Sequence, residues 1–158
     1  DDRIATLESK LHDAGLEIPF LRQQQNKLLE PERLKLDVKM LDDEHEKWIN
    51  LANRLHSAII NKEKEEKVMK HLKEYEEYTH FHFDNEEFYL KKFEYEREQE
   101  HRDYHKGFLN KLEEMNEKFD LSNFETSYNL LIYIRNWMID HITNEDTKLV
   151  NIFKEHNM

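Results

Sequence analysis

The 158-residue chain contains no cysteine. That absence removes disulfides, thiolate zinc sites, iron–sulfur clusters and cysteine nucleophiles together, and it leans toward a cytoplasmic setting. Two glycines and two prolines are too few for the turns of a β-rich fold. No run approaches the roughly 18 uninterrupted apolar residues of a membrane span, and the N-terminus lacks the basic and apolar regions of a secretory signal. Basic residues are in the minority. Lys plus Arg is 24 against 35 Asp plus Glu, a net charge of −11, which argues against nucleic acid or an anionic membrane as the main partner. The chain starts Asp1-Asp2 rather than with Met, which points to a processed protein or a piece of a longer one.

What is present suits amphipathic helices: 37% hydrophobic, 37% charged and 11% aromatic residues, with ten histidines. The length is that of one domain, on the usual roughly 100–200 residues per domain. Ile4, Leu7, Leu11 and Ala14 form a short stripe that stops at Gly15, and an apolar stretch from Phe20 to Leu29 ends at Pro31. Residues 1–33 therefore read as a helical arm or connector, or as a dimerising helix, since barely two heptads are present. Residues 34–158 read as the main domain.

Four longer stripes follow. Leu41, His45, Trp48, Ile49, Ala52, Leu55 and Ile59 share a face, and the polar run Asn61 to Lys67 ends it. Leu72, Tyr75, Thr79, His82, Phe83, Glu86, Leu90 and Phe93 form the second stripe. After a turn near 94–97, His101, His105, Phe108, Leu112, Met115 and Phe119 form the third. Ser122-Asn123-Phe124-Glu125 has the S-x-x-E form of a capping box, which starts a fourth helix near 123 with Leu130, Ile134, Trp137, Met138 and His141 inward, on toward Leu149. The fold class is all-α, an antiparallel up-down-up-down four-helix bundle with an N-terminal helical arm.

The inner stripes carry His45, His82, Glu86, His101, His105 and His141 among their apolar residues. An unpaired buried carboxylate costs several kcal/mol, and clustered imidazoles with no common partner leave lone pairs unsatisfied. A shared cation removes both costs. His82 with Glu86, and His101 with His105, stand one turn apart on one side of a helix. Imidazole with carboxylate suits iron, manganese, zinc or copper, and the ligand count favours two ions over one.

These residues also fall in recognisable motifs. His82-Phe83-Asp84-Asn85-Glu86-Glu87 resembles the H-F-x-x-E-E motif of the hemerythrin family. His101-Arg102-Asp103-Tyr104-His105-Lys106-Gly107-Phe108 is similar to its H-x-x-x-H-x-x-F, His141-Ile142-Thr143-Asn144-Glu145-Asp146 to its H-I-x-x-x-D, and Leu41-Asp42-Asp43-Glu44-His45 to its I-D-x-x-H. The resemblance spans about residues 34 to 154, and its wide histidine gaps look bacterial or archaeal. It implies two iron ions, oxo- or hydroxo-bridged when oxidised. His101, His105 and His141 would hold one, His45 and His82 the other, and Glu86 and Asp146 would bridge. Dioxygen would bind at the iron with two imidazoles, for carriage, storage or sensing. On an ideal helix Glu145, at i+4 from His141, is better aimed than Asp146, which lies about 140° round. Following the family therefore asks for a local distortion there, or for a ligand that reaches in from the side. Two departures stand out: Leu36-Asp37-Val38 replaces a glycine common before the first helix, and residues 31 to 44 lack the tryptophan common in bacterial members.

His12, His56, His71, His80 and His156 match no ligand position and are expected at the surface. His80 lies about 200° from His82, so it cannot share its face. Trp48, Phe83, Trp137 and Met138 lie within a turn of a ligand and are the candidate walls of an oxygen pocket; core packing accounts for them equally. The resemblance implies a binding protein rather than an enzyme. An oxidase or peroxidase, and a sensor joined through residues 1–33 to an output domain or partner protein, are the competing readings. The oligomeric state is open.

Overall fold

Residues 27–158 are described by a computed structural model of the chain. Four main helices follow one another: α1 Lys39–Ile60, α2 Glu65–Lys92, α3 Glu98–Glu117 and α4 Phe124–Asp140. A wide π-type turn, His141–Glu145, a 3-10 turn, Asp146–Leu149, and a last short helix α5, Val150–Glu155, complete the chain. No strand occurs among the described residues. The linkers are short, and α1 packs on α2, α2 on α3, α3 on α4 and α4 back on α1, which closes a bundle of the expected antiparallel kind. The expected helix ending at Gly15 lies outside the described residues, as does most of the Phe20–Leu29 stretch.

Local chemistry sets the helix ends. At the start of α1 the Asp42 carboxylate accepts from the backbone N–H of Leu36 (2.7 Å) and of Asp37 (3.0 Å). Asp37 has φ 61°, the left-handed conformation that glycine adopts without strain. The glycine that the sequence lacks at this point is thus replaced by an aspartate in a glycine-like conformation, pinned by Asp42. The polar run expected to end α1 gives its second half to α2, which starts at Glu65.

The expected capping box is displaced by one residue. Asn123, not Ser122, caps α4, its side-chain oxygen accepting from the N–H of Glu125 at 3.0 Å. Ser122 is already engaged, donating its hydroxyl to Asp120 at 2.6 Å.

The apolar interior is in two pieces. The larger holds Trp48, Phe83, Phe108, Ile134 and Met138, and takes in Leu28 and Leu29 from the segment before α1. The smaller holds Val38, Leu41, Leu90, Leu149 and Phe153 at the other end. Each wall of the bundle passes from one cluster to the other through polar residues: His45 on α1, His82 and Glu86 on α2, His101 at the start of α3, and His141 to Asp146 after α4. A polar layer therefore crosses the bundle between two hydrophobic plugs.

One expectation about this interior fails. His56 is fully buried, not exposed, and neither ring nitrogen has a hydrogen-bond partner among the described residues. Burial alone pushes its pKa down to about 4, because an uncompensated imidazolium is costly away from water. His71 is half-buried, whereas His80 and His156 are exposed as expected; His12 lies outside the described residues.

Candidate metal centre

The polar layer brings all seven sequence-predicted residues together. His45, His82, Glu86, His101, His105, His141 and Asp146 are each at most 3% exposed. They form two overlapping groups whose ligand atoms lie within 4.8 Å of one another: Glu86 with His101, His105 and His141, and Glu86 with His45, His82 and Asp146.

Each carboxylate faces both groups. Glu86 turns Oε1 toward His101 Nε2 (2.5 Å) and His105 Nε2 (3.2 Å), and Oε2 toward His82 Nε2 (3.5 Å). Asp146 turns Oδ1 toward His101 Nε2 (3.3 Å) and His141 Nε2 (3.2 Å), and Oδ2 toward His45 Nε2 (3.1 Å). Each carboxylate thus turns one oxygen toward two imidazoles drawn from His101, His105 and His141, and the other toward a single imidazole, His82 for Glu86 and His45 for Asp146.

Asp146 reaches the layer because the helix widens. Its backbone N–H donates to the carbonyl of His141, five residues back, instead of the usual four. A π-type turn of this kind adds one residue to the turn and carries the i+5 side chain round to the face of residue i. Glu145 is directed outward instead, with its carboxylate 3.9 Å from Arg97 and 3.4 Å from Lys148.

The electrostatics are those of a charged cluster shut away from water. Burial and the charge of Asp146 push Glu86 up, but hydrogen bonds from His101 and His105 outweigh them and hold its carboxyl below the ordinary range. Asp146 is held low against burial by the charge of His141 and by the closeness of His101 and His45. Burial pulls His101 down, yet Asp146 and Glu86 together raise it to about 10.

Hydrogen bonds within the layer do not satisfy it. His45 Nε2, His82 Nε2, Glu86 Oε2 and both Asp146 oxygens are buried with no well-formed hydrogen bond. His105 Nε2 and His141 Nε2 face each other at 3.1 Å. Neutral and acidic donors aimed at a common interior are what cations would satisfy, so the residues present fit a pair of bound ions.

A second ring of residues orients the first. Glu44 accepts from His82 Nδ1 at 2.8 Å and from Asn85, while Glu87 accepts from His105 Nδ1 at 2.8 Å and sits 3.4 Å from Arg102. A carboxylate on the far ring nitrogen fixes the tautomer and aims the near one. Sequence reasoning did not assign Glu44 or Glu87, although both lie inside the quoted motifs; the need of each imidazole for a partner on its second nitrogen is the signal that points to them.

Of the candidate pocket walls, Phe83 stacks on His105 (3.8 Å, 3° between planes) and Trp137 on His141 (4.4 Å, 13°). Trp48 lies 5.1 Å from the His82 ring and donates its indole N–H to Thr79. Met138 is turned toward Tyr75, whose hydroxyl donates to its sulfur at 3.3 Å.

Residues 36–153 match the family model for the hemerythrin HHE cation binding domain. The chain belongs to the hemerythrin family. Among curated hemerythrin relatives, it is 28% identical over 124 residues to a bacteriohemerythrin of Clostridium acetobutylicum, covering 76% of this chain and 96% of that protein. It is 25% identical over 125 residues to a bacteriohemerythrin of Pseudomonas aeruginosa, covering 79% and 80%. A third, from Methylococcus capsulatus, is 24% identical over 110 residues, covering 70% and 83%. No solved structure gives a significant match. Among the described residues, no helix of this hemerythrin-family chain is long and apolar enough to cross a membrane.

Proposed function

We propose that this chain binds dioxygen reversibly at a di-iron centre in the polar layer. His101, His105 and His141 would hold one iron, His45 and His82 the other, and Glu86 and Asp146 would bridge them. The observation that carries this reading is the split of both carboxylates, each with one oxygen toward the His101, His105 and His141 group and the other toward the His45 and His82 group. When bound, an iron pair supplies two electrons that dioxygen takes up and gives back. The chain's own residues hold the ions, aim the imidazoles through Glu44 and Glu87, and exclude water with the two apolar plugs on either side. Phe83, Trp137 and Trp48 press on the imidazole rings and favour one fixed arrangement; with Met138 further in, they would wall the oxygen pocket.

Five imidazoles against two carboxylates favour a binder over an oxidase or peroxidase. A cytoplasmic setting accords with the cysteine-free composition. One observation favours sensing as a use of the same site. Asn53, on the helix that carries His45 and Trp48, accepts from the N–H groups of Leu28 and Leu29 (2.7 and 2.8 Å) and donates to the Leu29 carbonyl (2.9 Å). A shift of α1 would therefore be felt by the segment that precedes it and by an output domain or partner joined through residues 1–33. Anaerobic reconstitution with ferrous iron tests the proposal. The expected result is about two irons per chain, one for each group of ligands, with oxygen taken up and returned on deoxygenation. Release of peroxide or oxidation of a substrate with turnover would favour the enzyme.

A further inference from the structure

The outer face of α2 carries two large apolar side chains in the open: Phe81 is 55% exposed and Phe88 59%. They are seven residues apart, about 10 Å along the helix, while His82 and Glu86 of the same helix turn inward. Each borders a groove of about 410 Å³. The one beside Phe81 is lined by Lys47, Leu51, Arg54 and Tyr78, and the one beside Phe88 by Asp84, Glu87, Lys91 and Arg102. Each ring packs on a neighbouring tyrosine, Phe81 on Tyr78 at 5.5 Å and Phe88 on Tyr89 at 5.2 Å, so the face offers two apolar spots, each beside a groove, that a partner can cover.

The charges around the two rings say what fits. Lys91 and Lys92 stand beyond Phe88, and Glu77 beyond Phe81, all exposed. We propose that this face is a contact between two copies of the chain, with their α2 helices antiparallel about a two-fold axis between Asp84 and Asn85. In that register Phe81 of each copy meets Phe88 of the other, Glu77 meets Lys92, and Tyr78 meets Lys91. A two-fold axis makes every such contact twice, so two phenylalanine pairs are framed by two opposite-charge pairs. A parallel alignment would instead set Glu77 against Glu77 and Lys92 against Lys92. The net charge of −11 on each chain opposes association, so the contact is concentration-dependent.

Sedimentation equilibrium of the 158-residue chain, from about 1 µM to about 1 mM, provides the test. The mass rises from 19.5 kDa toward twice that value, and a variant with Phe81→Ser and Phe88→Ser stays at the monomer mass with unchanged helical circular dichroism. Glu77→Lys weakens dimerisation about tenfold, and adding Lys92→Glu restores it, since the swap re-forms the pair in reverse. Because the chain has no cysteine, Glu77→Cys combined with Lys92→Cys gives a clean cross-link on oxidation. Within one chain these positions lie about 22 Å apart along the helix, too far for a disulfide, so any bond joins two copies. Either cysteine alone gives none. A monomer at every concentration, a dimer that survives loss of both phenylalanines, a charge swap that fails to restore pairing, or a cross-link from a single cysteine would each overturn the proposal.

Discussion

Replacing Asp146 by alanine, with Glu145→Ala as its partner experiment, probes the polar layer where helical geometry and the fold disagree most. In a regular helix Glu145 would be the inward residue; the π-type turn turns Asp146 inward instead. Asp146 is 0% exposed and stands 3.1 to 3.3 Å from His45, His101 and His141. Removing one member of a buried charged set costs about 3–5 kcal/mol, because the groups it faced stay buried and uncompensated. If that cost falls on metal binding, affinity drops by a factor of roughly 10² to 4 × 10³ at about 1.4 kcal/mol per tenfold. Glu145 makes only peripheral contacts to Arg97 and Lys148, so its loss is worth at most about 1 kcal/mol. The assay is iron retained per chain after reconstitution and competition with a graded series of chelators. Asp146→Ala loses iron to a weak chelator, and Glu145→Ala behaves as the parent. Retention of both irons by Asp146→Ala together with loss from Glu145→Ala would refute the assignment of the turn.

Three further outcomes follow from the same structure. His56 is held neutral, with a pKa of about 4 against about 6.5 in the unfolded chain, so between these values only the unfolded state takes up the proton and stability falls as pH drops. From pH 7 to pH 5 the ion-free parent should lose about 2 kcal/mol more than His56→Leu in urea unfolding; equal losses would contradict neutral burial. Asp37→Gly relieves the left-handed strain at φ 61° and should stabilise by a few tenths to about 1 kcal/mol, whereas Asp37→Ala destabilises; glycine no better than alanine would sink that account. Trp137, stacked on His141 at 4.4 Å, should lose most of its fluorescence when ferric iron binds, measured in a variant with Trp48→Phe, and unchanged emission at full iron content would place the ion elsewhere.

Most of the fold was legible because helices bury one face, and the period of 3.6 residues is written plainly in Leu41 to Ile59 and in Leu72 to Leu90. The same period exposed five histidines and Glu86 as polar residues on apolar stripes. Asp146 was legible only by resemblance, since no residue pattern announces a π-type turn. Ser122 was mistaken for the cap because the S-x-x-E pattern does not reveal that Asp120 holds its hydroxyl. His56 sits one turn from Ala52 and near Ile59 on α1, so its burial was within reach of the period; polarity without a ligand role pointed the other way. Glu44 and Glu87 are two acids among 35, and only the placement of neighbouring helices tells them from solvated ones.

The optical spectrum of the reduced, iron-loaded chain before and after oxygen tests the central claim most directly. The account predicts a near-ultraviolet and visible band that rises on exposure to air, falls on deoxygenation and is lost on reduction, with about two irons per chain for its two ligand groups. A well-folded chain that takes up no iron anaerobically, or one that takes it up and shows no spectral response to oxygen, would contradict it.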